Sequence, residues 1–240
     1  MRIKSNYQDL LKVFATITMF IDHAGLYFFP EYNVMRLVGR IAMPIFCFFA
    51  GYNFKQKPNI KILLFGVLLY LITTIILRRI MIANILISIY IGQWYLYLFR
   101  NQLTKVNNSY LHIIVLVLLG YITNYFFDYG SLVIAIMILG YIVIHNPDRL
   151  KIDVAVVIFL SIINTFILFN SMFNAIFNPV LNASKLYALI VIILGIFQYF
   201  LMVIKNFDQA ISLNINIISR HTLLIYVIHL IIIQIIFIYC

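Results

Sequence analysis

The chain has 240 residues, 65% of them hydrophobic and only 10% charged, with a formal net charge of +10 and a mean hydropathy of +1.05. So few charges cannot cover the surface of a water-soluble domain of this size. Repeated apolar runs of about 20 residues instead match the ~30 Å hydrocarbon core of a bilayer, so the expected fold is an all-α, polytopic membrane helical bundle forming one domain over 1–240.

In chain order, helices are expected near 10–29, 35–53, 61–78, 80–99, 109–127, 130–146, 152–170, 185–204 and 219–239, about nine in all. The first follows Arg2, Lys4 and Lys12 as a secretion signal would, but it is too long, carries Asp22 and His23, and lacks a small-residue cleavage site, so it reads as a retained span. The connection at 78–80 is tight, and 171–184 has the Asn, Ser and Pro of a loop with enough apolar residues to lie at the interface.

Basic residues sort by side. Arg2, Lys4, Lys12, Lys55, Lys57, Lys61, Arg100, Lys105, Arg149, Lys151, Lys205 and Arg220 fall on one side; Arg78, Arg79 and Lys185, with Arg36 and Arg40 at the head of the second span, fall on the other. Basic loops stay cytoplasmic, so the N-terminus is expected inside and, with an odd number of spans, the C-terminus outside. This clustering accounts for the net charge without a nucleic-acid partner. Cys47 and Cys240 give neither a disulfide framework nor a zinc spacing, and the scattered histidines suggest no metal.

Charged groups within a span are costly, so each asks for a partner or a task. At a rise of 1.5 Å per residue, Asp22 and His23 lie roughly 18–20 Å above the inner end of the first span. The chain turns at PEYN and returns through RLVGRIAMPIF, which brings Arg40 to nearly the depth of Asp22, with Arg36 on the same helix face. An Asp22–Arg36 or Asp22–Arg40 ion pair would satisfy those charges with no chemistry. His23 is not needed for that pairing, and a neutral imidazole is the general base available near neutral pH.

In SRHTLLIYVIHL, His229 falls within about one helical turn of His23 in depth, and Tyr226 lies one turn below it on the same face. His112, His145 and His221 fall near the cytoplasmic edge. Gln93 and Trp94 stand in the inner half of the fourth span, where an aromatic belt is the alternative reading.

The ordered segments LLKVFATITMFIDHAG, MRLVGRIAMPIFCF, QWYLYLF and DYGSLVIAIMILGY, spread over roughly 10–145, resemble the TraX family, and SRHTLLIYVIHL resembles its last helix. Those are polytopic membrane proteins associated with conjugative transfer, whose named activity is N-terminal acetylation of F-type pilin. The resemblance implies sites at Asp22, His23, Arg36, Arg40 and Asp128, acetyl-CoA as donor, and the bacterial cytoplasmic (inner) membrane as location. The acceptor it implies is pilin, with a glycan or a small molecule left open.

Acetyl transfer needs a base, an orienting group and oxyanion donors. His23 is the candidate base and Asp22 a candidate orienting carboxylate, though adjacent helical residues point about 100° apart. Arg36, Arg40, Tyr226 and His229 are candidate oxyanion donors. The donor's phosphates favour the basic face offering Arg100, Lys105, Arg149, Lys151 and Arg220, with Gln93 and Trp94 nearby. Cys47 reads as packing rather than as an acyl carrier. A base in the outer half expects an acceptor arriving from outside. The rival readings are a proton-coupled transporter and a non-catalytic membrane component of a conjugation or secretion apparatus.

Overall fold

The computed structural model describes residues 5–78, 82–123, 125–145, 210–211 and 215–239. The expected spans at 152–170 and 185–204, with Arg149 and Lys151, lie outside the described residues.

The chain opens with a two-residue strand, β1 (Ser5–Asn6), before helix α1 (Tyr7–Tyr27). Asn6 accepts from the Asp9 backbone N–H at 2.9 Å, and Asp9 accepts from that of Asn6 at 3.0 Å. This reciprocal capping box satisfies two of the donors orphaned at a helix start. Late in the chain come β2 (Ala210–Ile211), α8 (Asn216–Arg220) and α9 (Thr222–Tyr239), numbered after the seven earlier helices. β1 pairs antiparallel with β2, Ser5 opposite Ile211. The Ser5 hydroxyl accepts from the backbone of Ile215 at 2.9 Å and Asn216 at 3.0 Å, and Ser219 donates to Asp9. These polar stitches start α1 and α9 side by side. The two run parallel, touching again at His23–His229 and at Tyr27–Phe237.

The second expected span, 35–53, is two helices: α2 (Asn33–Gly39) and α3 (Ala42–Tyr52), interrupted at Arg40 and Ile41. Pro44 accounts for the break. It has no N–H to offer the Arg40 carbonyl four residues back, and its ring crowds that carbonyl, whereas the first turn of a new helix tolerates it. α2 packs on α1 at close range. A methyl at Gly25 would meet the Met35 Cβ, and one at Gly39 would collide with the Asp22 backbone.

Helix α4 (Ile60–Leu77) ends at Arg78 in a left-handed conformation, φ 50°. The expected start of the next helix at 80 is late in fact: α5 (Ile85–Leu103) is capped by Asn84, which accepts from Leu86 and Ile87 and donates to the Gly66 carbonyl of α4 at 2.8 Å. α6 (Val106–Thr123) and α7 (Leu132–His145) follow. The turn between them is pinned to the chain ahead of α5, with Asp128 N–H donating to the Ala83 carbonyl at 2.8 Å.

α3 and α7 form the centre. Gly51 faces the Met137 carbonyl and Gly140 the Phe48 carbonyl with no room for a methyl, the close backbone approach that small residues give packed membrane helices. Every residue from Leu132 to Ile142 except Ile134 is buried. Three helices, α1, α4 and α9, are long and apolar enough to cross a membrane, while α3 and α7 are shorter apolar helices. α4 and α9 leave much of their apolar surface exposed, Ile75 at 74% among it, as lipid-facing helices do. The molecule is a predominantly helical membrane protein.

Candidate functional site

The α1–α2 approach at Gly39 sets the Asp22 carboxylate against the two arginines. Arg36 Nη1 lies 2.9 Å from Asp22 Oδ2 and donates to the Asp22 carbonyl at 3.1 Å. Arg40 Nε stands 4.0 Å from Asp22 Oδ1, donates through Nη1 to the Tyr129 hydroxyl, and lies over that ring at 5.0 Å from its centroid. Among the described residues, Asp22 Oδ1 and Arg36 Nε are buried without a hydrogen-bond partner.

Tyr129 reaches Arg40 because the turn is bent: its φ is 63° and that of Gly130 is 51°. A non-glycine residue there is uncommon and held by its surroundings. The Ser131 backbone donates to Thr123 at 2.8 Å, and Ser88 donates to the Asp128 carbonyl at 3.2 Å. In this turn, burial pushes the Asp128 carboxyl up to about 6 against the opposing pull of Arg40, and burial raises the Tyr129 phenol.

His23, the next residue on α1, turns away from the arginines. Its Nδ1 is 2.7 Å from His229 Nε2, and the rings stack with centroids 4.9 Å apart. His229 Nδ1 is 2.9 Å from the Ile225 carbonyl. The Tyr226 ring lies 6.1 Å from His23 and 5.7 Å from His229.

These groups line or back one cavity of about 500 Å³. At one end are Lys12, Asn53 and Asn59; at the other, Arg36, Arg40 and Asp128. Ten residues of α1 separate Lys12 from Asp22, roughly 15 Å of rise. Lys12 donates to Gln8 Oε1 at 3.0 Å and stands 5.7 Å from the Phe49 ring centroid. Gln8 in turn donates to Asn53 at 3.2 Å. A third polar strip crosses the cavity wall: Thr73 donates to Gln234 Oε1 at 3.2 Å, and Gln234 donates to the Tyr27 hydroxyl at 3.1 Å.

The structure thus brings Asp22, His23, Arg36, Arg40, Tyr226 and His229 together. Gln93 is buried and accepts from the Asn59 backbone at 2.8 Å, holding the cavity rim. Trp94 is 43% exposed and packs edge-on to Tyr97, away from the cavity. Arg100, Lys105 and Arg220 are exposed outside it, with Arg100 over the Tyr97 ring. Cys47 is fully buried in the core. Among the described residues, no three His, Cys, Asp or Glu side chains gather as a metal site would require.

Sequence reasoning passed over Lys12, Tyr129 and the Thr73–Gln234–Tyr27 strip. One signal was available: Lys12 and His23 are eleven residues apart, about three helical turns, and so share a face.

Comparison with known proteins matches the TraX protein family over residues 7–237. "Uncharacterized protein RP591" of Rickettsia prowazekii (strain Madrid E) is 46% identical over 239 residues, covering 98% of this chain and 94% of the relative. "Probable fimbrial assembly protein FimC, serogroup H1" of Dichelobacter nodosus is 39% identical over 67 residues, covering 24% of this chain and 28% of the relative. No solved structure matches. With the family match running from the first turn of α1 almost to the end of α9, the chain belongs to the TraX family.

Proposed function

We propose that the protein is a multi-pass acetyltransferase of the bacterial inner membrane, moving acetyl from cytoplasmic acetyl-CoA to an amine or hydroxyl at the outer side. The observation that carries the reading is the continuity of one cavity from the Lys12 end to the His23 and arginine end. TraX proteins are linked to pilin acetylation, which makes a pilin N-terminus the first acceptor to try. The parallel course of α1 and α9 supports an odd number of crossings, and the basic loops support a cytoplasmic N-terminus.

The cavity suits the donor's thioester arm. Lys12, Asn53 and Asn59 offer an ammonium and amides to a chain of amides and phosphates, and the walls beyond are largely apolar. His23 takes the acceptor's proton, the acceptor's lone pair bonds the thioester carbonyl carbon, and the C–S bond breaks. The proton then passes from His23 to the departing thiolate, leaving an acetylated acceptor and a free thiol. Arg36, Arg40 and Tyr226 are placed to oppose the oxyanion. Asp22 keeps the arginines in position rather than orienting His23.

Purified protein in vesicles, given acetyl-labelled coenzyme A and a pilin N-terminal peptide, tests this. Label transfer or thioester hydrolysis lost in His23→Ala, with the fold retained, is the expected result; full turnover in that variant rejects it. The second reading is a proton-coupled carrier, favoured by the Asp22–Arg36 pair and adjoining histidines inside the bundle. Solute uptake driven by a proton gradient without acetyl donor would select it.

A further inference from the structure

The bonding partners of the two histidines fix where their protons sit. A carbonyl oxygen only accepts, so His229 Nδ1, 2.9 Å from the Ile225 carbonyl, carries a hydrogen. In a neutral ring the other nitrogen is then a lone pair. His23 Nδ1, 2.7 Å from His229 Nε2, must therefore be the donor. A neutral His23 with hydrogen on Nδ1 has its own lone pair on Nε2, the nitrogen His229 does not touch, on a ring that lines the cavity. The chain of bonds is complete with both rings neutral, and it ends on the helix backbone, which cannot change its protonation.

We propose that His229 is a positioning residue: it locks His23 in the Nδ1–H tautomer and turns the Nε2 lone pair toward the cavity. This rests on the acetyltransferase reading for its purpose but not for its geometry. The arrangement replaces the carboxylate that usually orients a catalytic histidine. Asp22 is not available for that task, since its carboxylate is engaged by Arg36 at 2.9 Å.

During transfer the acceptor's N–H or O–H bond breaks and its proton bonds His23 Nε2. Its electron pair forms the new bond to the carbonyl carbon, and the C–S bond pair leaves with sulfur. The same proton then moves from Nε2 to sulfur, so His23 ends as it began. Throughout, Nδ1–H stays on His229 Nε2, and that bond strengthens while His23 is cationic because a charged donor bonds more strongly. No proton need reach His229, and no ring need flip. Phe20, 4.4 Å from the His229 ring, and Tyr226 hold that ring in place.

Nitrogen-15 NMR of histidine-labelled protein in bilayers reads the tautomers directly, with His23→Gln and His229→Gln assigning the signals. The expected spectrum shows His23 neutral, protonated on Nδ1 and bare on Nε2. His229→Phe keeps a ring in the space and removes the acceptor, so His23 should become a mixture of tautomers. His229→Gln, whose amide oxygen can accept, should restore the single form. In the acetyl-CoA assay, His229→Phe should lower kcat about a hundredfold with KM little changed, the lower range of an acid–base contribution, and His229→Gln should recover part of it. Finding His23 protonated on Nε2, cationic at neutral pH, or unchanged in His229→Phe overturns the assignment. If the tautomers appear as expected while no protein transfers acetyl, the positioning geometry stands and the acetyltransferase reading falls.

Discussion

Gly39 of α2 rests directly on the backbone of Asp22 in α1, with no space for even a methyl group between them. That contact, rather than the ion pair alone, decides how far the arginines reach over the first helix. Gly39→Ala is expected to push α2 outward and destabilise the protein by about 1–3 kcal/mol, the usual cost of overpacking. Unfolding in mixed micelles measures the loss; a variant as stable as wild type would show that the helices separate freely.

The ion pair itself is predicted to matter mainly through what remains when it is broken. Asp22→Ala leaves Arg36 and Arg40 buried without their counter-charge and should cost about 3–5 kcal/mol. Asp22→Ala combined with Arg36→Leu should recover a substantial share of that. Equal losses in the single and double variants would remove the pair from the account of stability.

Lys12 is expected to act on the donor rather than on the chemistry. Lys12→Met keeps the apolar stem beside Phe49 and removes the ammonium. KM for acetyl-CoA should rise about tenfold, on the order of 1.4 kcal/mol, while kcat holds. A fall in kcat at unchanged KM would place Lys12 among the reacting groups instead.

The direction of crossing is open to chemical labelling. Cysteine introduced at Tyr32 should react with an impermeant thiol reagent added to intact cells, and cysteine at Lys57 should react only after permeabilisation. The opposite pattern would turn the cavity round and end the proposal of a cytoplasmic donor.

Much of this arrangement was legible because a helix converts residue number into depth. Counting placed Arg40 level with Asp22 and His229 within a turn of His23, and the structure has the first pair 4.0 Å apart and the second in contact. What counting cannot supply is a break in the count. Pro44 ends the register at Arg40, so 35–53 is two helices. Hydropathy also cannot distinguish an apolar face meeting lipid from one meeting protein, which is why the buried α7 and the exposed α4 looked alike. Lys12 was absorbed into the charge asymmetry of the loops, and Gln234 into an apolar run. Tyr129 depends on a left-handed turn that neighbouring side chains impose, which local sequence does not announce.

His23 and His229 are 206 positions apart along the chain. During biosynthesis the opening hairpin enters the bilayer long before its partner has been translated, so a nascent chain carries the arginines and one imidazole but no competent pair. Activity becomes possible only once the closing helix has slotted in beside the first, which protects the cell from a half-made protein spending its thioesters.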